Sequence, residues 1–285
     1  MIEINPIPQH IIKNCVKNAI AEDLGQAGDL TSNYLIDKNQ ENEWIITSNQ
    51  NGVVSGIRCA EYAFNFIDKN VCFKSFVMDG EKVTKDTKIA LISGRSLPIL
   101  TAERTALNFI GHLSGIATET NKFVELTKHT KVKIVSTRKT TPGIRALEKY
   151  AIRCGGGFNH RLGLDYAILI KDNHIEAVGG VKEALKLAKQ KASHLMSIEI
   201  EVDTIEQLEE ALKYEAKIIL LDNMTIDNLK AAVKIANGGA ILEASGNINE
   251  NNVLQVAETG IDIISIGRLT HSSPSLDISL HCNKK

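Results

Sequence analysis

The sequence lacks the features of disulfide-rich, membrane-spanning and cysteine-metal proteins. Its five cysteines are odd in number and scattered, and no two form a CxxC pair, so neither a disulfide scaffold nor a cysteine metal site is expected. No apolar run approaches the length that spans a bilayer. The start, MIEINPIPQH, has neither a basic segment nor an apolar core, so we expect no signal peptide and a reducing cytoplasm.

The chain also lacks a charge imbalance. Its 33 Lys and Arg residues and 34 Asp and Glu residues give a formal net charge of −1, which argues against a general binder of nucleic acid or membrane surfaces. With 285 residues, 43% of them hydrophobic, the chain is long enough for one large or two ordinary soluble domains.

Positive charge is nevertheless concentrated in residues 136–174. Seven Lys and Arg residues stand there against three acids, which favours an anionic ligand. A solvated basic surface is the simpler alternative. Pro142, Gly143 and the GGG run at 155–157 interrupt the segment, so we do not expect the cations to lie on one regular helix.

The first part of the chain shows the pattern of an open α/β sandwich. We expect a helix over 8–24 and a loop over 27–36 with a capping Asp29 or Thr31. Short strands then run from 44 to 93, with a hairpin at Asn51-Gly52, and a helix covers 97–128 with breaks at Gly111 and Gly115.

After residue 132, short apolar strands alternate with helices. This rhythm predicts a parallel sheet, and its repeat of about 20 to 25 residues favours a barrel. The predicted strands are 132–136, 166–170, 196–202, 217–221, 240–244 and 262–266.

Polar or charged residues recur where these strands end. Because the carboxyl ends of parallel barrel strands share one rim, we expect a functional site there. The positions are Thr137, Arg138, Lys139, Lys171, Glu201, Asp222, Ser245, Gly246 and Gly267. Arginine forks bind carboxylates and phosphates, and late strand–helix loops often hold phosphate. A ligand with several carboxylates or phosphates, with two acids for Mg²⁺ or ribose hydroxyls, fits this set.

Several motifs resemble those of quinolinate phosphoribosyltransferase, the carboxylating nicotinate-nucleotide pyrophosphorylase. They are TRKTTPG, KYA with GGGFNHRLGL, LIKDNH, EIEVD, LLDNM, LEASGN and SIGRLTHSSPSLDISL, in the family's order. The resemblance covers nearly the whole chain. It implies an N-terminal α/β sandwich domain over 1–110, completed by 272–285, and an irregular parallel α/β barrel of the type II phosphoribosyltransferase kind over 111–271.

The resemblance also implies a reaction and a distribution of roles. Phosphoribosyl pyrophosphate and quinolinate would give nicotinate mononucleotide, pyrophosphate and CO₂, with Mg²⁺ and no organic cofactor. Lys139 and Lys171 would neutralise the departing pyrophosphate, while Glu201 and Asp222 would hold the ribose hydroxyls directly or through Mg²⁺. Further substrate contacts are expected from Arg104, Thr137, Arg138, His160, Arg161, Ser245, Gly246, Asn247, Ser265, Gly267 and Arg268. Arg104 would reach the neighbouring site of a homodimer or higher oligomer.

Some features leave alternatives open. Asn247 stands where the family usually has glycine, although Asn tolerates the left-handed backbone. His271 follows the last barrel strand and is a candidate phosphate contact. The alternatives are a related transferase for another aromatic acid, an aldolase using Lys171 in a Schiff base, and a non-catalytic anion sensor.

Overall fold

The computed structural model describes residues 4–283, which divide into two units. The first comprises Met1–Asn121, Thr140–Gly156 and Leu269–Lys285, and the second comprises Lys122–Lys139 and Gly157–Arg268. The outermost residues of the predicted 1–110 and 272–285 segments lie outside the described residues. The predicted domain boundary at 110/111 stays a prediction.

The two units contain eleven helices and twelve strands within residues 4–283. In chain order they are α1 (Gln9–Leu24), α2 (Leu30–Leu35), β1 (Glu41–Ser48), β2 (Gly52–Val53), α3 (Ile57–Ile67), β3 (Cys72–Ser75), β4 (Lys82–Val83), β5 (Lys88–Arg95), α4 (Ser96–Thr127), β6 (Lys133–Val135), α5 (Arg145–Cys154), β7 (Ile168–Ile170), α6 (Asp172–Val178), α7 (Val181–Lys191), β8 (Ile198–Val202), α8 (Ile205–Lys213), β9 (Ile218–Asp222), α9 (Ile226–Ala236), β10 (Ile241–Ser245), α10 (Val253–Ala257), β11 (Ile263–Ser265), α11 (Arg268–His271) and β12 (Ile278–Cys282). None of these helices combines the length and apolar content that crossing a membrane requires.

The first unit is built on an antiparallel sheet in the order β12-β1-β5-β3. Ile46 on β1 and Ile92 on β5 are fully buried, as expected for the apolar face of a half-covered sheet. The predicted Asn51-Gly52 hairpin is wrong, because β1 pairs with β5 on one side and β12 on the other. Both edges of β1 are therefore occupied, and β2 pairs with β4 instead.

Two further predictions in the first unit need correction. Residues 30–35 form the short helix α2 in the predicted loop, and the Asp29 carboxylate accepts from the backbone amide of Ser32 at its N-terminus. Helix α4 runs unbroken through Gly111 and Gly115. A Cβ at Gly115 would lie 2.1 Å from the Pro274 carbonyl oxygen, so this glycine permits close packing and does not break the helix.

The second unit is a six-stranded parallel sheet in the order β6-β11-β10-β9-β8-β7. Strands β7 (ILI) and β9 (IILLD) are apolar on successive residues, which is typical of a sheet that is covered on both faces, whereas β8 (IEIEV) alternates with glutamate. Phe158 adds one parallel bridge to Val135 on β6, and no ladder among the described residues joins β6 to β7. The predicted two-domain α/β class is confirmed, with a barrel-like sheet that is open on this side.

Short loops connect the strands of the second unit to the following helices. Thr204 caps α8 by accepting from the Gln207 amide, and Thr225 caps α9 by accepting from the Asn228 amide. Helix α8 begins three residues after the end of β8, and α9 begins four residues after the end of β9. These caps stop the strands at fixed points and so place the strand-end side chains along one edge.

Candidate active site at the carboxyl ends of the parallel strands

The strand-end residues of the second unit lie side by side, as the sequence pattern predicts. Ile170 pairs with Ile200, which places Lys171 beside Glu201 at the ends of β7 and β8. Asp222 at the end of β9 pairs with Ser245 at the end of β10. The parallel register therefore aligns four of the predicted site positions along one sheet edge.

Lys171 and Glu201 form an ion pair across neighbouring strands. The ammonium group donates to Glu201 Oε2, and the side chains are 46% and 11% exposed, respectively. The Lys171 backbone amide also donates to His174 Nδ1 at 2.9 Å, so His174 helps to fix the main chain at Lys171. A fixed backbone at Lys171 thus presents the amine at the open edge of the sheet.

Arg161 holds a donor that the protein leaves unused. Its Nη1 donates to the Ala167 carbonyl at 3.0 Å, but its buried Nε has no hydrogen-bond partner within residues 4–283. Burial and then the positive charge of Arg138 lower the pKa of Arg161, while Glu199 opposes both. Two neighbouring guanidinium groups with an unsatisfied buried donor form a site that an anion would complete.

A cluster that the sequence analysis missed lies beside these cations. His160 Nε2 is 2.8 Å from Glu199 Oε2 and 3.9 Å from Glu243 Oε1. Burial, and then the negative charge of Glu199, raise the pKa of Glu243 to about 7. Acids in the middle of buried parallel strands are rare, and this could have marked both glutamates.

Asp222 is connected to the predicted phosphate loop through two asparagines. Asn223 donates to Asp222 Oδ2 at 2.7 Å and accepts from the Asn247 side chain at 3.0 Å. Asn247 adopts the left-handed backbone with a φ of 52°, as the sequence predicts that Asn can. At Gly246, with a φ of 92°, a Cβ would lie 2.1 Å from Asn223 Oδ1. Ser245 and these two loop residues line a cavity of about 230 Å³.

The basic stretch is divided between the two units. Three of its cations (Arg145, Lys149 and Arg153) lie four residues apart on α5 in the first unit, and the seven cations together do not lie on one regular helix, as expected. The others belong to the second unit and are Arg138, Lys139, Arg161 and Lys171. The second unit therefore carries four cations of this stretch.

The remaining predicted site residues have less distinctive surroundings. Arg104 is exposed on α4 in the first unit. His271 is also exposed in that unit and contacts Ser272 Oγ through Nδ1 at 2.6 Å. Thr137 accepts from the Lys139 amide at 3.1 Å. Near the end of β11 lie buried Ser265 and half-buried Gly267 and Arg268. Their predicted ligand contacts stay predictions.

Two family models match most of the chain. The description "Quinolinate phosphoribosyl transferase, N-terminal domain" matches residues 29–114, and "Quinolinate phosphoribosyl transferase, C-terminal domain" matches residues 116–281. The chain belongs to the quinolinate phosphoribosyl transferase family. The predicted family assignment is thereby confirmed.

Individual members of the quinolinate phosphoribosyl transferase family match along nearly their whole length. The nicotinate-nucleotide pyrophosphorylase structure from Francisella tularensis is 40% identical, covers 99% of this chain and 100% of its own, and has a TM-score of 0.94. The corresponding Ehrlichia chaffeensis structure is 41% identical, covers 95% and 98%, and has a TM-score of 0.92. Quinolinate phosphoribosyltransferase [decarboxylating] 2b from Nicotiana tabacum is 38% identical over 98% of this chain and 85% of its own.

Proposed function

We propose that the protein transfers the phosphoribosyl group of phosphoribosyl pyrophosphate to quinolinate and releases pyrophosphate and CO₂. Family membership supports this reaction over transfer to another aromatic acid. The observation that carries it at the site is the unused buried donor of Arg161 beside the charge of Arg138. A dicarboxylate supplies the paired anionic groups that two guanidinium forks bind.

The first step is displacement at the anomeric carbon of ribose. The quinolinate nitrogen forms a bond to that carbon while the bond to the pyrophosphate oxygen breaks. Glu201 and Asp222 hold the ribose hydroxyls and favour the positive charge that develops on the sugar. Lys139 and Lys171 neutralise the leaving pyrophosphate. Its phosphates and the ribose 5-phosphate contact the loops after β10 and β11 and the neighbouring Arg268.

The second step is loss of one carboxylate as CO₂. The electron pair of the breaking carbon–carbon bond stays on the ring carbon that carried the carboxylate, where the positive charge of the neighbouring pyridinium nitrogen stabilises it, and a proton then binds to that carbon. No organic cofactor is needed. Arg138 and Arg161 hold the dicarboxylate during both steps, and the role of His160 is taken up below.

Mg²⁺ accompanies phosphoribosyl pyrophosphate in this proposal. Glu201 and Asp222 fit such an ion because their carboxylate oxygens are hard ligands at the ends of nearby strands. When bound, Mg²⁺ would supply charge neutralisation at the pyrophosphate.

The free thiols of all five cysteines support the expected reducing cytoplasm.

An aldolase built on Lys171 has less support. A Schiff-base lysine needs a neutral amine in an apolar pocket, whereas Lys171 is half exposed and donates to Glu201. Borohydride with a keto acid should therefore trap no adduct on Lys171.

Release of labelled CO₂ from carboxyl-labelled quinolinate tests the proposed reaction. Release should require both the protein and phosphoribosyl pyrophosphate, and pyrophosphate should appear in equal amount. Binding of phosphoribosyl pyrophosphate without either product would instead identify an anion sensor. CO₂ release from another aromatic acid in preference to quinolinate would contradict the proposed substrate.

A further inference from the structure

Both ring nitrogens of His160 are used inside the protein. Nδ1 accepts from the backbone amide of Arg161 at 2.8 Å, and Nε2 lies 2.8 Å from Glu199 Oε2. An amide can only donate, so Nδ1 carries no proton in this arrangement. Nε2 therefore bears the proton and donates it to the Glu199 carboxylate. Neither nitrogen is left over for a substrate carboxylate.

The position of Glu199 explains how this contact is maintained. Glu199 is buried as the second residue of β8, where its main chain is paired on both sides with β7 and β9. A carboxylate on a strand that is paired on both sides is a rigid anchor, in contrast to the loop that carries His160. Asn159 in the same loop accepts from Ser136 Oγ at 3.0 Å, which ties the preceding residue to the end of β6.

We propose that Glu199 is a positioning residue: through the His160 ring it holds the Arg161 backbone amide and thereby sets where the Arg161 guanidinium meets the anionic substrate. Arg161 is then fixed at its backbone by His160 and at Nη1 by the Ala167 carbonyl. Its Nε remains available for the ligand. His160 acts through Arg161 and does not itself contact the ligand.

His160, Glu199 and Glu243 form a candidate metal site, since each offers a ligand atom within 4.8 Å of the other two. The His160–Glu199 distance argues for a hydrogen bond. Two ligands of one tetrahedral ion with bonds of about 2.0–2.1 Å would stand about 3.3 Å apart. The observed 2.8 Å is the length of an N–H···O⁻ contact.

The inference rests on the proposed reaction, and a mutant cycle tests it kinetically. Glu199→Met removes the acceptor, and His160→Asn keeps an acceptor for the Arg161 amide but cannot reach Glu199. Each should raise the quinolinate KM about 10- to 100-fold, because the loss of a hydrogen bond to a charged group weakens binding by about that factor. The phosphoribosyl pyrophosphate KM should not change. The double variant should lose no more than either single variant.

Glu199→Gln is the matched control, because its amide oxygen still accepts from Nε2. It should stay within about threefold of the unmodified protein. A normal quinolinate KM in Glu199→Met, or additive losses in the double variant, would overturn the proposal in favour of direct contact between His160 and the ligand. Thermal unfolding of each variant separates this readout from a loss of folding.

A measurement that needs no turnover tests the positioning role of Glu199 separately from the proposed reaction. Nitrogen-15 NMR of the imidazoles, with the His160 signal assigned by its loss in His160→Asn, should show the neutral tautomer with the proton on Nε2. Quinolinate added alone should leave that tautomer unchanged. A shift to a protonated Nδ1 would refute the positioning role, whereas absent CO₂ release with the expected tautomer would refute only the proposed reaction.

Discussion

Arg161 carries the strongest single signal of ligand binding at the residue scale. Its buried Nε is unused in residues 4–283, and a carboxylate of the ligand would satisfy it beside the positive charge of Arg138. Arg161→Ala should raise the quinolinate KM about 10- to 100-fold, since charge-assisted bonds contribute about 1.5–3 kcal/mol each.

Arg161→Lys is the informative comparison for that change. It keeps the positive charge but loses the planar fork, so it should recover only part of the affinity. Steady-state kinetics with both substrates decide the matter. An unchanged quinolinate KM in Arg161→Ala would remove Arg161 from the carboxylate site.

Asn247 provides a second test at the residue scale. Its amide holds Asn223, which in turn donates to Asp222, so it indirectly orients an acid assigned to the ribose. Asn247→Gly keeps the left-handed backbone but breaks this link, and the phosphoribosyl pyrophosphate KM should rise about threefold to tenfold. The quinolinate KM should not change. A rise in both constants would point to a wider disturbance of the loop.

At the scale of elements, helix α4 depends on glycine where the chain near Pro274 crosses it. A Cβ at Gly115 would approach the Pro274 carbonyl to 2.1 Å, whereas one at Gly111 would be 3.1 Å from the Leu276 carbonyl. Gly115→Ala should therefore lower the free energy of unfolding by about 1–3 kcal/mol. Urea unfolding of the variant and the unmodified protein measures this decrease in the free energy of unfolding.

Gly111→Ala controls for helix propensity in the same element. Alanine gains about 1 kcal/mol over glycine in a helix interior, and this gain offsets the milder contact at position 111. Its free energy of unfolding should stay close to that of the unmodified protein. Equal losses at both positions would show that the distance to the crossing chain does not set the cost.

Elements could be predicted where their signal is local. The alternation of apolar strands and helices after residue 132 predicts all six strands of the parallel sheet, because each strand–helix unit carries its own pattern. The Asn51-Gly52 hairpin was wrong because β1 takes a partner, β12, that begins 230 residues after Ser48. No local pattern in the sequence encodes that pairing.

The residues of the candidate site could likewise be predicted only where their signal in the sequence is local. Lys171, Glu201 and Asp222 were found because strand ends follow from the repeat. The role of Glu199 depends on a hydrogen bond to His160, 39 residues away, which a single sequence does not display. Charged residues buried within strands are the signal that deserved more weight.

At the scale of the whole molecule, stability should depend on the protonation of Glu243. Its pKa in the folded protein, about 7, lies above the ordinary 4.5, so the folded state binds the proton more tightly than the unfolded state. Its contribution to stability is present at low pH and is lost as pH rises from about 4.5 to about 7. The loss amounts to at most about 3 kcal/mol.

Glu243→Gln isolates this contribution because the amide stays neutral. The free energy of unfolding of the variant minus that of the unmodified protein should rise as the pH increases from about 5 to about 8. Differences between the two proteins cancel the titration of distant groups. A difference in stability that is the same at both pH values would contradict the raised pKa of Glu243.

Assembly is the remaining property at this scale, and Arg104 makes it testable. Arg104 is exposed in the first unit, whereas Lys139 belongs to the second, and we propose that each site combines Lys139 of one subunit with Arg104 of another. Arg104→Ala and Lys139→Ala should each be inactive. Mixed under conditions that exchange subunits, they should regain up to about a quarter of normal activity, because half of the dimers are then mixed and each carries one intact site. Exchange verified by mass-tagged subunits without any recovery would contradict a shared site.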